Sequence, residues 1–170
     1  MGAAILLIPP ICLFMAAVID LFTMTIPNRL SIFLLASFMV LAPVSGLPWA
    51  EISMSFAAGA VVLLVCFGFF ALNVMGGGDV KLLAASALWF GFSPALGAFI
   101  FQTALWGGLV TLLVMLIRSQ ADRFAVIGTI VPAQILTTKK VPYGVAIGIA
   151  GLMTFWSSPI AVSAMAALKQ

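Results

Sequence analysis

Residues 52–79 read ISMSFAAGAVVLLVCFGFFALNVMGGGD. No charge interrupts them before the final aspartate, and three successive glycines precede it. An apolar run of about 20 residues has the length of a membrane-crossing helix. Asn73 and the glycines end the run, and Asp79 stands where the next element begins. A carboxylate beside a hydrocarbon span costs about 2.5–3.5 kcal/mol on insertion scales, so such groups persist where they serve a function. A second aspartate of the same kind is Asp20, in Val18-Ile19-Asp20-Leu21, at the end of the first apolar run. Two carboxylates at the ends of two spans suggest a pair that meets inside a helix bundle.

The rest of the 170 residues agrees with a membrane protein. Apolar types make up 65% of the chain, only 6% is charged, and the mean hydropathy is +1.33. Soluble domains carry roughly 25% charged residues. These values exclude an ordinary soluble domain and predict an all-α, polytopic membrane helix bundle forming one integral-membrane domain over 1–170. Residues 2–19 lack a basic leading region and a small-x-small cleavage site, so they read as a first, uncleaved span rather than a signal peptide. Cys12 and Cys66 fall inside apolar runs, form no CxxC, and no histidine occurs in the chain. That argues against a zinc site and for two small packed side chains.

Proline, glycine and charge divide the chain into about six spans, at about 3–20, 30–46, 52–73, 79–91, 95–117 and 142–166. The fourth is short for a full crossing. Segment 118–140 holds Arg118, Asp122, Arg123, Lys139 and Lys140 around a modest apolar stretch, and reads as a loop with an interfacial piece. With six spans, Arg29, Lys81, Arg118, Arg123, Lys139 and Lys140 fall on one side and Lys169 on the other. The positive-inside rule then places both termini outside and the basic loops, 118–140 among them, in the cytoplasm. The net charge of +3 is accounted for by topology and anionic lipid head groups, with no nucleic-acid partner. Asp20 and Asp79 then share the cytoplasmic membrane level.

Two close carboxylates cannot easily both ionise, so a pair shares one proton and titrates as a unit. The ionised member takes a proton from water, which attacks a peptide carbonyl. The protonated member stabilises the developing oxyanion, and a proton passes later to the leaving amine. This chemistry needs no metal, cofactor or covalent intermediate. The glycines before Asp79 allow unusual backbone angles or close approach, and Asp79 can cap the helix it opens. Non-helical backbone at membrane depth predicts a water-accessible pocket there. Each feature also has a plainer reading. The glycine run can be a loop and cap, and Asp20 can close a helix at the interface. Ile26-Pro27-Asn28 can be a turn with Asn28 capping span two. Lys81 reads as a snorkelling topology anchor. Gly144 and Gly148 have a GxxxG spacing that suits close helix packing, within the bundle or between subunits. The carboxylates are also compatible with proton or cation transport, and the whole with a non-catalytic assembly protein.

Three blocks carry a family resemblance. Ile19-Asp20-Leu21 with Ile26-Pro27-Asn28-Arg29-Leu30 resembles the first catalytic region of type IV prepilin peptidases. Gly76-Gly77-Gly78-Asp79-Val80-Lys81-Leu82-Leu83-Ala84-Ala85 resembles their GxGD region, and Lys140-Val141-Pro142-Tyr143-Gly144-Val145-Ala146-Ile147 resembles their C-terminal Pro-Tyr/Phe-Gly-x-Ala-Ile block. The resemblance implies a membrane aspartyl endopeptidase of the bacterial inner membrane, with Asp20 and Asp79 as the catalytic pair. Gly76 and Gly78 would shape the second catalytic turn, and Pro27, Asn28, Lys81, Pro142, Tyr143 and Gly144 would support it. It further implies a prepilin or pseudopilin substrate, with a basic leader and a hydrophobic helix, cut at the cytoplasmic face. The absence of paired CxxC motifs and of an insertion before Asp20 resembles the short form found with tight-adherence (Flp) pilus systems, and argues against N-methylation activity. Intramembrane proteases of the presenilin kind share GxGD but pair it with Tyr-Asp, whereas Asp20 follows Ile19.

Overall fold

The computed structural model describes residues 2–121, 133–138 and 140–168, and these are helical with short connections. The elements are α1 (Gly2–Thr23), α2 (Asn28–Val44), α3 (Trp49–Ala71), α4 (Gly77–Phe90), α5 (Pro94–Ala121), α6 (Ala133–Thr137), α7 (Tyr143–Thr154) and α8 (Pro159–Ala167). Asp122, Arg123, Lys139 and Lys169, which entered the topology argument, lie outside the described residues. Helices α1, α3 and α5 are long and apolar enough to cross a membrane. The α7–α8 pair is a fourth candidate if its bend is counted within one span, and α2 is a shorter apolar helix of 17 residues.

The span read as continuous from 142 to 166 is broken. Helix α7 passes through a 3-10 turn, Phe155–Ser157, and α8 leaves at 52° to it. The cause is local. Pro159 occupies the first turn of α8, where its missing N–H is harmless, but it holds Ser158 in an extended conformation (φ −71°, ψ 146°). The Ser158 hydroxyl then accepts the Ala161 N–H at 3.3 Å and caps the new helix.

Helix α4 explains its own shortness. Every residue from Leu82 to Phe90 is buried, so this helix lies inside the bundle, wrapped by α2, α3 and α7. A helix enclosed in this way can be apolar all round. Its far end is anchored by Trp89, whose indole N–H donates to the Leu34 carbonyl of α2 at 3.1 Å. Trp89 also packs edge-on against Phe38 and Phe155, and Phe90 stacks on Phe99. Gly91 (φ +55°) ends the helix in a left-handed conformation that suits glycine.

Helix α7 lies along α1 because of its small residues. A Cβ on Gly148 would stand 2.7 Å from Ala17 Cβ and 2.8 Å from the Leu13 carbonyl oxygen. The GxxxG spacing therefore serves packing within this chain. Cys12 and Cys66 are free, buried thiols in the same core. Gly148→Leu should lower the melting temperature in detergent, since overpacking a close contact costs about 1–3 kcal/mol. Gly108→Ala, whose added methyl meets nothing within 4 Å, should leave it unchanged; thermal unfolding of the purified variants measures both.

Candidate active site

Contacts between distant segments gather the three sequence blocks at one end of the bundle. Ile26, in the turn after α1, stands at their centre. A Cβ on Gly78 would lie 3.2 Å from Ile26 Cβ and 3.3 Å from its carbonyl oxygen. A Cβ on Gly144 would lie 2.9 Å from Ile26 Cδ1. The turn is formed by Met24, whose N–H bonds the Asp20 carbonyl at 2.8 Å and whose φ is +54°. Thr23 steadies it by donating from its hydroxyl to the Ile19 carbonyl at 2.8 Å.

Asp20 lies in the last turn of α1 and is only 4% exposed. Its Oδ2 accepts the Gly144 N–H at 2.7 Å, at the start of α7. Gly144 sits in the first turn of α7, where the backbone N–H groups have no partner within the helix. The helix start thus directs a free donor and the positive end of a dipole at the carboxylate. A residue with a side chain would not fit, since its Cβ would come within 2.8 Å of Asp20 Cβ and 2.9 Å of Oδ2.

Asp79 is half-buried in the first turn of α4. Gly76 is the N-cap residue, so Asp79 is third in the helix rather than its first residue or its N-cap. The carboxylate folds back toward Gly76, beside the free N–H groups that open the helix. None of Gly76, Gly77 and Gly78 has a positive φ. The expectation of unusual backbone angles is therefore not met, and close approach is the reason for the glycines. A Cβ on Gly76 would lie 2.7 Å from Asp79 Oδ2, and Gly78 admits Ile26.

The Asp79 carboxyl lies in the electrostatic field of the Asp20 carboxyl, and the Lys140 ammonium acts on both. Asp79 keeps part of its surface accessible and Lys140 is exposed, so water can approach from their side. The cluster brings together two carboxylates and the Gly144 backbone donor, with the charge of Lys140 reaching both carboxylates. Among the described residues, no group of three or more His, Cys, Asp or Glu side chains could hold a metal ion.

Other residues named from the sequence fall around this centre. Asn28 does not cap α2; Pro27 is the N-cap residue and makes no side-chain cap bond. The Asn28 Oδ1 instead accepts from Lys81 Nζ at 3.0 Å, tying the start of α2 to the start of α4. Lys81 is thus a clamp between helices on a face of α4 that lines a groove with Ser31 and Phe56. Pro142 is buried and forms the N-cap of α7. The Tyr143 ring lies over Gly107 of α5, where a Cβ would come within 2.5 Å of it. Sequence reasoning missed Ile26 as the shared contact, Gly144 as a donor and Lys140 as a neighbour of both aspartates. Lys140 opens the third block in the sequence, but its charge had been counted toward topology alone.

A model of the type IV leader peptidase family matches residues 7–116, nearly two-thirds of the chain, and the matched region contains both Asp20 and Asp79. The chain belongs to the type IV leader peptidase family, which makes it a membrane protease by class. No curated protein and no solved structure matches it.

Gly144→Ala should cut leader cleavage at least tenfold with the protein still inserted, because a lost hydrogen bond to a charged group is worth about 1.5–3 kcal/mol. Lys81→Ala, which breaks only the clamp to Asn28, should retain most of it. Peptidase assays at matched enzyme levels compare the two.

Proposed function

We propose that this chain is an aspartyl endopeptidase that removes the leader of type IV prepilins or pseudopilins, with Asp20 and Asp79 activating water. What supports this reading is the convergence of the two aspartate blocks at one end of the bundle, where the Gly144 N–H bonds Asp20 and Ile26 packs against both Gly144 and Gly78, the residue before Asp79. The pair shares one proton. Its ionised member draws a proton from water as the oxygen attacks the scissile carbonyl. Its protonated member donates to the carbonyl oxygen as charge develops there, and the leaving amine then takes a proton from the pair. No covalent acyl-enzyme forms.

The remainder of the reading concerns the membrane. The chain crosses it about six times, with both termini outside and the aspartates at the cytoplasmic face of a bacterial inner membrane. The support is charge: Arg29, Lys81, Arg118 and Lys140 stand at the same end as the aspartates, as the positive-inside rule requires of a cytoplasmic face. The substrate lays its hydrophobic helix in the bilayer beside the bundle and presents an extended leader junction at this end. The position of the pair at helix ends, away from mid-span, suits such a substrate better than an ion path.

The test is co-expression with a prepilin in a host lacking prepilin peptidases, followed by sequencing of the pilin N-terminus, which also reads methylation. Wild type should remove the leader, while Asp20→Asn and Asp79→Asn should abolish cleavage with insertion unchanged. Retained cleavage by either variant overturns the two-aspartate mechanism. The rate should be bell-shaped in pH. At low pH both carboxyls are protonated and no base remains; at high pH both are ionised and no acid remains. A rate that rises to a plateau on either side counts against a shared-proton pair, and a peptide-cleavage assay across pH decides it.

A further inference from the structure

Arg118 lies in the last turn of α5, and its charge alone had suggested a topology anchor. Its guanidinium does more specific work. Nε donates to the Ile135 carbonyl at 2.7 Å, and Nη2 donates to the Lys140 carbonyl at 2.6 Å. One side chain therefore ties two points of the returning chain to α5. A guanidinium suits this, because its donors are fixed in a planar fork and reach two carbonyls at once; a lysine ammonium is a point donor on a flexible stem. The Ile135 side chain is seated as well, buried against Met24 and Val114, with Leu21 and Val110 packed around it. Met24 belongs to the turn that follows Asp20, so this seat adjoins the first aspartate.

Only Val141, Pro142 and Tyr143 separate the Lys140 carbonyl from Gly144. Pro142 has a ring-fixed φ of −74°, and the Tyr143 N–H bonds the Val141 carbonyl at 2.9 Å. Little slack remains between the atom that Arg118 holds and the N–H that Asp20 accepts. We infer that Arg118 is a positioning residue for the peptidase reaction: its guanidinium sets the 140–144 segment, and through it the Lys140 ammonium and the Gly144 N–H, against Asp20 and Asp79. The catalytic part of this statement rests on the function proposed above; the positional part does not.

The experiment uses the full chain in proteoliposomes, with prepilin cleavage kinetics and amide hydrogen exchange measured on the same samples. Arg118→Ala should lower kcat roughly ten- to hundredfold, the size expected when a charge-assisted hydrogen bond is misplaced, with KM little changed. Amides of 140–145 should exchange faster while those of α4 do not. Arg118→Lys should fall between Arg118→Ala and wild type in both readouts. Lys140→Met keeps the carbonyl that Arg118 holds but loses the ammonium, so it should lower kcat without faster exchange at Gly144. Wild-type kcat in Arg118→Ala, or unchanged exchange at 140–145, overturns the inference. If Arg118→Ala does not fold, the same two readouts on Arg118→Lys decide it. If wild type cleaves no prepilin, or Asp20→Asn still does, the functional reading fails instead. Exchange at Gly144 in Arg118→Ala then decides the positional part alone, faster exchange supporting it and unchanged exchange overturning it.

Discussion

The 2.7 Å hydrogen bond from the Gly144 N–H to Asp20 is the contact on which the arrangement of this molecule turns. It joins residues 124 positions apart, at the end of α1 and the start of α7. It exists because Gly144 has no Cβ, since an added one would collide with the Asp20 side chain. The approach is sustained along the two helices by Gly148, which rests on Ala17 and the Leu13 carbonyl. In an apolar medium helices gain little from hydrophobic association, and close backbone packing of this kind takes its place. The same closeness that packs α7 on α1 delivers a helix N-terminus to a buried carboxylate.

The second half of the cluster is held by a different device. Asp79 stands in the first turn of its own helix with its carboxylate folded back on Gly76, and α4 is fixed by burial and by the Trp89 bond to Leu34 at its far end. Ile26 couples the halves. It touches Gly78 through its main chain and Cβ, and Gly144 through its Cδ1. Small residues at 78 and 144 and a branched one at 26 are therefore one steric unit spread over three motif blocks. Arg118 adds a third tie from α5, and Lys81 with Asn28 a fourth between α4 and α2.

Much of the helical layout was legible because its signals are local. Apolar runs end at glycine, proline and charge, and the observed helices begin and end close to those marks. The break at Ser158-Pro159 was legible too, as a capping residue followed by proline, but the strong apolar run on both sides masked it. Asn28 shows the opposite error. An asparagine after a proline looks like a helix cap, yet its oxygen accepts from Lys81, a partner 53 residues away that no local pattern names. Of the two reasons for the glycines before Asp79, unusual backbone angles and close approach, only the second holds. Their φ values are ordinary, and what they permit is contact with Ile26 and with the Asp79 side chain itself.

The sequence by itself determined the class of medium, the helical content and the two unusual carboxylates, because each follows from composition or from the order of residues along one segment. Only the tertiary structure decided that Gly144 supplies a donor to Asp20 and that the charge of Lys140 reaches both carboxyls. It alone decided, too, that Arg118 holds the chain in that position. Those facts depend on which helix faces meet and how closely, and meeting distance is set by side-chain volume at contacts far apart in the chain.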